Sequence, residues 1–397
     1  MNNAAIERRL LDTADALAPE IFDISRFIHA NPEPGFEETK SANYLVSMLA
    51  GHGFRVDRPV KGMPTAFRAV KKGSRKGPAV GFVCEYDALP EIGHGCGHNL
   101  IAASGFGAAV ALAAALDKTG GSVWLFGTPA EETGGSKALM ARDGFFDGLD
   151  AVIMTHPESM YMVNTSGLAL DALEFEFLGK STHAAATPWE GVNALDALIL
   201  FFNSVGALRQ QLKPDARVHG IITKGGTAPN IIPHLTEARF YIRAAHRGYL
   251  DEVARKVRNC ALGAAKAAGC RLRVKKYEPS LDNVINNPVL AGLVESKLRA
   301  LGVSDIVPGD EVPGSTDFGN LSRRVPSLYF YCATAPKGAD LHTREFTEFS
   351  VKKLAHDNIL IAVKAMAAAG LEILSNPALA SQARAELSRA LKMERCA

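Results

Sequence analysis

Three things are scarce in this 397-residue chain, and each scarcity excludes a class of function. Net charge is one: 44 Lys and Arg stand against 42 Asp and Glu, a formal +2. That is too little for a nucleic-acid binder working through an electrostatic footprint. The short basic loop Lys71-Lys72 with Arg75-Lys76 reads as a solvated turn. Cysteine is the second: six residues, at 84, 96, 260, 270, 332 and 396, fall singly and often inside apolar patterns. Buried free thiols are distributed that way, so no disulfide framework is expected and a reducing cytoplasm is the expected compartment. Long apolar runs are the third. Ile6 to Asn31 carries charges throughout, so no secretory leader is expected. Leu100 to Leu116 is the only stretch that would pass for a membrane span; it is short for one and reads as a buried helix, so no membrane partner is expected. Internal repeats, low-complexity segments and the G-x-S-x-G elbow of serine hydrolases are also missing. Gly105-Phe-Gly107 looks like a dinucleotide fingerprint, but it falls within the helical stretch rather than after a strand.

What is present is organised around Val83 to Asn99, V-C-E-Y-D-A-L-P-E-I-G-H-G-C-G-H-N. The apolar run Ala79 to Cys84 predicts a buried parallel strand that delivers Glu85 and Asp87 to its carboxyl end. A glycine-punctuated loop then packs His94, Cys96 and His98 into five residues. Ser122 to Gly127 predicts a second such strand, running into T-P-A-E-E-T-G-G, and Ala151 to Thr155 a third, ending in His156-Pro157. Strands alternating with helices, with metal-competent residues at their ends, predict a mostly parallel, doubly wound α/β sheet. The period changes near Gly167: strand Leu170–Leu178, helix Asn193–Leu212, strands Val218–Thr223 and Ala238–Ala244, helix Leu250–Ala268, strand Leu272–Tyr277. The order β-α-β-β-α-β predicts an inserted ferredoxin-like α+β domain. Three segments follow: residues 1–167 and 283–397 form the catalytic domain, and 168–282 a lid or dimerisation domain. A glycine-rich loop, Pro313 to Gly319, a strand Ser327–Ala333 and two C-terminal helices complete the first domain.

Thiolate, imidazole and carboxylate at these strand ends suit a transition-metal site. Cys96, His98, Glu132, His156 and His342 together fit a two-metal hydrolase centre. Two cations bring the pKa of a water toward neutrality, and Glu131, diverging from Glu132, would take its proton.

The motifs D-A-L-P, G-C-G-H-N, T-P-A-E-E, T-H-P, S-T-H-A-A and L-H-T run in one order over nearly the whole chain. In them the sequence resembles the aminoacylase/carboxypeptidase family of metallopeptidases, peptidase family M20, in its amidohydrolase branch. H-G-I-I-T-K-G-G-T-A-P-N-I-I-P and G-S-T-D-F-G-N resemble aminobenzoyl-glutamate hydrolase and related dipeptidase-like members. The resemblance implies two divalent ions, zinc or manganese, bridged by Cys96. It places His98 and Glu132 on one ion, and His156 and His342 on the other. It puts Glu131 at the general-base position and His183 at the lid histidine that stabilises the oxyanion, supplied by the partner subunit of a homodimer joined through the lids. Asn230 and Arg243 match lid positions that hold a substrate carboxylate. Where the peptidase branch has His-x-Asp and a bridging Asp, this chain has Glu85-Tyr86-Asp87 and Cys96, and Asp87 is assigned the orientation of a histidine ligand. The expected activity is hydrolysis of a small-molecule amide next to a carboxylated moiety. Its rivals are the same site acting on an unusual aromatic acid or amine, and a non-catalytic binding protein on the same fold. Glu131 together with five ligand candidates disfavours the latter.

Overall fold

The computed structural model describes residues 3–60, 62–309 and 314–396, so the expected glycine-rich loop is described from Gly314 onward and residue 313 lies outside. In chain order the strands are β1 (Arg55–Asp57), β2 (Phe67–Lys72), β3 (Ala79–Cys84), β4 (Ser122–Gly127), β5 (Ala151–Glu158), β6 (Tyr161–Val163), β7 (Ala169–Leu178), β8 (Arg217–Lys224), β9 (Leu235–Ala244), β10 (Arg271–Lys276), β11 (Ile306–Pro308) and β12 (Ser327–Ala333). The chain divides into two compact units, one of residues up to Ser166 and from Val284, the other Gly167–Asn283.

The first unit is built on a sheet of order β1-β2-β4-β3-β5-β12-β6-β11. Its centre, β4-β3-β5-β12, is parallel throughout. β1 and β2 add antiparallel at one edge, and β6 runs antiparallel to β12 at the other. The parallel centre needs cover on both faces, and alternation along the strands supplies it. Val80, Phe82 and Cys84 of β3 join the core made with helices Ala18–Ala30, His98–Ala113 and Lys353–Ser375. Val83 of β3, Phe126 and Met154 face the other core, with Phe318, Leu321, Met140 and Phe146. Each fully buried Phe or Ile side chain contributes roughly 1.5–3 kcal/mol relative to exposure. The doubly wound, mostly parallel expectation is borne out.

The helix expected from Leu100 runs His98–Ala113 and is buried on every side. Gly105 shows why: a Cβ there would lie 2.5 Å from the Val83 carbonyl oxygen. The Gly-x-Gly pair is thus a packing device: Gly105 brings the helix against β3, and Gly107 brings it against Ile21 and Val363 of the covering helices. One membrane expectation needs correction. Leu100–Leu116 is not the candidate span; among the described residues it is Lys353–Ser375 that is long and apolar enough to cross a membrane, and 67% of its apolar window is buried inside the protein. It is a core helix that covers the sheet.

The second unit is a four-stranded antiparallel sheet of order β10-β7-β9-β8, with helices Ala194–Leu208 and Arg247–Ala268 on one face. Phe175, Phe177, Phe201 and Phe240 form the centre of its core. The connectivity and strand order are those of a ferredoxin-like sandwich. Strand β8 is an edge, and Ile221 (65% exposed) and Ile222 (48%) on it face solvent, as do Ile199 and Leu200 on the first helix.

Candidate metal centre

All four parallel central strands of the first unit deliver chemistry at their carboxyl ends. Past β3, Glu85 and Asp87 are almost completely buried. The loop that follows turns on Gly97, whose φ of 72° is left-handed and whose added Cβ would stand 2.7 Å from Pro157 Cγ. A side chain there would force apart the two segments that carry Cys96 and His156. With glycine in place, Cys96 Sγ lies 3.4 Å from His156 Nε2. His156 Nδ1 donates to the Pro157 carbonyl at 2.7 Å, which leaves Nε2 facing the site. His98 opens its helix and donates from Nδ1 to the Asp87 carboxylate at 3.0 Å. Its Nε2 then faces Glu85 at 3.4 Å and Glu132 at 3.9 Å. A histidine whose far nitrogen is held by a carboxylate or carbonyl presents a fixed tautomer to a metal.

Glu131 and Glu132 lie not on β4 but in the turn beyond it, after Ala130 in a left-handed conformation (φ 56°). That turn is tied from two sides. The Ala130 N–H donates to Glu38 at 2.8 Å, and Glu38 also accepts the Thr65 hydroxyl at 2.7 Å. The Glu132 N–H donates to Asp87 at 3.1 Å, so Asp87 fixes a histidine and a glutamate together. The fourth strand, β12, leads to His342, which is also left-handed (φ 63°) and donates its N–H to the Gly95 carbonyl at 2.9 Å. Strain of this kind, about 1–3 kcal/mol for a non-glycine residue, persists where surrounding structure enforces it. Here it brings His342 Nε2 to 3.4 Å from Glu132 Oε1.

The ligand atoms of Cys96, His98 and His156 lie within 4.8 Å of one another, and so do those of Cys96, Glu132 and His342. Cys96 is common to both groups, the position from which a thiolate would serve two ions if both were held there. A further group, His98 with Glu131 and Glu132, holds the pair His98 and Glu132 that family resemblance implies on one ion. All five side chains converge on one place. The donor set fits divalent metal ions: one thiol, three imidazoles and a carboxylate, with the buried His98 Nε2 lacking a hydrogen-bond partner among the described residues.

Electrostatics divides the ligand set. Burial opposes charge on His98, yet Asp87 outweighs it and raises its proton affinity well above the usual imidazole range. The hydrogen bond with Glu132 raises that of His342. Burial, and then the charge of His98, pushes His156 down to about 3, keeping it the neutral imidazole that metals take. Burial, and then the neighbouring Glu132, pushes the Cys96 thiol well up, a shift that a bound cation reverses. Burial works against the charge on Asp87 too, yet His98 outweighs it and holds that carboxyl down to about 2. Glu131 is driven well above the carboxylate range by burial and then by Glu85, Asp317 and Glu132.

The lid candidates belong to the second unit. His183 pairs with Ile231, and Ala184 donates to the Asn230 carbonyl at 3.0 Å, so His183 and Asn230 stand together. His183 Nδ1 accepts from the Ala185 and Ala186 N–H groups at 3.2 Å, which makes Nε2 the outward donor. Arg243 lies elsewhere, near the far end of β9, with its guanidinium 5.5 Å from the centre of the Tyr241 ring. Sequence reasoning misses Glu38, Lys137 and Asp317. Glu38 and Lys137 look like ordinary surface charges in the sequence, and only the folded chain buries them. Asp317 stands inside the G-S-T-D-F-G-N motif, a signal that speaks there for family and not for chemistry.

The model of peptidase family M20/M25/M40 matches residues 82–371. The chain is similar to mouse Xaa-Arg dipeptidase, 38% identical over 98% of this chain and 94% of that protein. It is also similar to one of the subunits of p-aminobenzoyl-glutamate hydrolase from Escherichia coli, 30% identical over 96% of this chain and 94% of that protein. Among solved structures, a dinuclear metal binding peptidase of the M20 family from Bacillus subtilis superposes with a TM-score of 0.69 at 21% identity, over 91% of this chain and 99% of that one. An aminobenzoyl-glutamate utilization protein from Klebsiella pneumoniae gives 0.70 at 19%, over 92% and 98%. At those identities the two structures speak for the fold. With the family model covering most of the chain and a relative this similar over its full length, the protein belongs to peptidase family M20/M25/M40 and is a hydrolase of amide or peptide bonds.

Proposed function

We propose that this protein hydrolyses the amide of a dipeptide or of an N-acyl or aryl amino acid, next to a carboxylate, at the centre formed by Cys96, His98, Glu132, His156 and His342. The observation that carries the reading is the convergence of those five side chains within 4.8 Å groups that share Cys96, with Glu131 beside them. Two divalent ions held there, zinc or manganese, would polarise the amide carbonyl and acidify a water. Glu131 takes the proton of that water and passes it to the leaving amine. The outward Nε2–H of His183 donates to the carbonyl oxygen as negative charge develops on it. Arg243 suits the substrate carboxylate through its two-pronged guanidinium. The relatives named for Xaa-Arg dipeptides and for p-aminobenzoyl-glutamate define the two amide classes to try first. With zinc or manganese added to metal-free protein, at least one of Xaa-Arg dipeptides or aryl-glutamates should be cleaved; inactivity on both, with each metal bound, removes this reading.

The same reading makes the protein a homodimer. His183 pairs with Ile231, before β9 begins at Leu235, and Arg243 stands near the strand's end, so that the strand from Leu235 to Arg243 alone spans about 26 Å at ~3.3 Å per residue. That separation supports drawing the two residues from two copies at one small amide. The open edge β8, with Ile221 and Ile222 exposed, is the surface on which a second lid would add. Two inactive variants, His183→Ala and Glu131→Gln, mixed under conditions of subunit exchange, should regain part of the activity, because one site of each heterodimer then has both native residues. Demonstrated exchange with no recovery means that His183 does not act across the dimer.

A further inference from the structure

A second cluster of titratable groups stands beside the ligand set. Lys137, in the short helix Ser136–Arg142, is completely buried. Its ammonium lies 2.7 Å from Glu85 Oε1 and 2.5 Å from Asp317 Oδ1, and its backbone N–H donates to Asp317 Oδ2 at 2.8 Å. Glu85, Glu131 and Asp317 bring carboxylate oxygens within 4.8 Å of one another. Three carboxylates at that spacing are the donor set of a hard divalent cation. Here the chain supplies its own cation, the Lys137 ammonium, in contact with two of the three, Glu85 and Asp317.

Burying an ammonium costs several kcal/mol, so a purely structural core would do as well with apolar side chains. Two contacts argue for more. Glu131 is one of the three carboxylates, and Glu85 also faces His98 Nε2 at 3.4 Å. Without a positive charge among them, Glu131 would be repelled by Glu85 and Asp317, or would be captured by an additional metal ion. Either outcome removes it from the water. We infer that Lys137 is a positioning residue: its ammonium fills the space between Glu85, Glu131 and Asp317, excludes a further metal ion there, and keeps the Glu131 carboxylate in place. The inference rests on the reading of Glu131 as the base.

The test is Lys137→Ala with metal reconstitution. Turnover should fall about tenfold to a hundredfold, the scale of a misplaced catalytic group, with KM changed less than about threefold. Zinc or manganese bound per chain should rise above the wild-type value. Methylammonium or ethylammonium, fitting the vacated space, should restore part of the turnover, where sodium chloride of equal ionic strength does not. A residue that only packs the core would show no such rescue. Wild-type turnover in Lys137→Ala, or a folded variant whose lost turnover no small amine restores, overturns the inference. Should Lys137→Ala fail to fold, the nearly isosteric Asp317→Asn decides: reduced turnover at unchanged KM and unchanged metal content supports the role, and wild-type turnover overturns it. A wild-type protein inactive on every amide would instead remove the reading of Glu131 as base.

Discussion

Glu131→Gln should lower turnover at least about 10²-fold, the lower end of what general-base catalysis contributes, while metal binding stays at the wild-type level. The expectation comes from how the two adjacent glutamates are engaged. Glu132 faces His342 at 3.4 Å and His98 at 3.9 Å, and groups with Cys96 and His342 as a ligand would. Glu131 groups with His98 and Glu132 on one side and with Glu85 and Asp317 on the other, so it borders the ligand set without sharing Cys96 or His342. Burial and these like charges raise its proton affinity above that of an ordinary carboxylate, the direction that makes a carboxylate a stronger base. Turnover and metal content measured on one preparation separate the roles. A Glu131→Gln protein that has lost its metal would show that the two glutamates have been assigned the wrong way round.

Cys96→Ala should have the other large effect, a joint loss of metal and activity. Removing an outer partner of a ligand typically costs 10–100-fold in metal affinity, so loss of a shared ligand should cost at least about 100-fold. Cys96 belongs to both ligand groups, whereas Cys84 points its thiol at the Ala102 carbonyl and is pushed up out of reactive range by burial. Cys84→Ala is therefore the control that should keep its metal. Equilibrium titration with zinc, read beside turnover, checks both. Normal metal binding and turnover in Cys96→Ala would make that thiol structural only.

Much of this was legible in the sequence because the informative residues lie where a strand ends. The apolar runs of β3, β4 and β5 are unmistakable, and each is followed at once by polar residues that a core would not tolerate without a use for them. The inserted unit was equally readable, since β7 alternates charged and apolar residues, L-E-F-E-F-L, where β3 and β4 carry no charge at all. What escaped were features fixed by tertiary contact. Strands β6 and β11 have three residues each, too few to show a period, and owe their pairing to neighbours. Ile6 to Ala30 reads as one amphipathic stretch, yet it breaks at Leu17, with Pro19 in the first turn of the next helix. Lys137 was invisible for a different reason: in sequence a lysine just after Gly-Gly-Ser is a surface residue, and only the arrival of Glu85 and Asp317 from distant segments makes it a buried cation.

The place of β12 in the sheet has a consequence for the chain as it leaves the ribosome. β12 sits between β5 and β6, which are neighbours in sequence, and is separated from them by the whole of Gly167–Asn283. At 5–20 residues per second, synthesis of the intervening chain takes on the order of ten seconds. Throughout that interval β5 presents a bare apolar edge, the kind that recruits a strand from another molecule. The inserted unit has its own core and all four of its strands, so nothing prevents it from folding first. Nascent chains halted before β12 should then carry one finished domain and one aggregation-prone one. Ribosome-bound chaperones would be needed most over that stretch of translation.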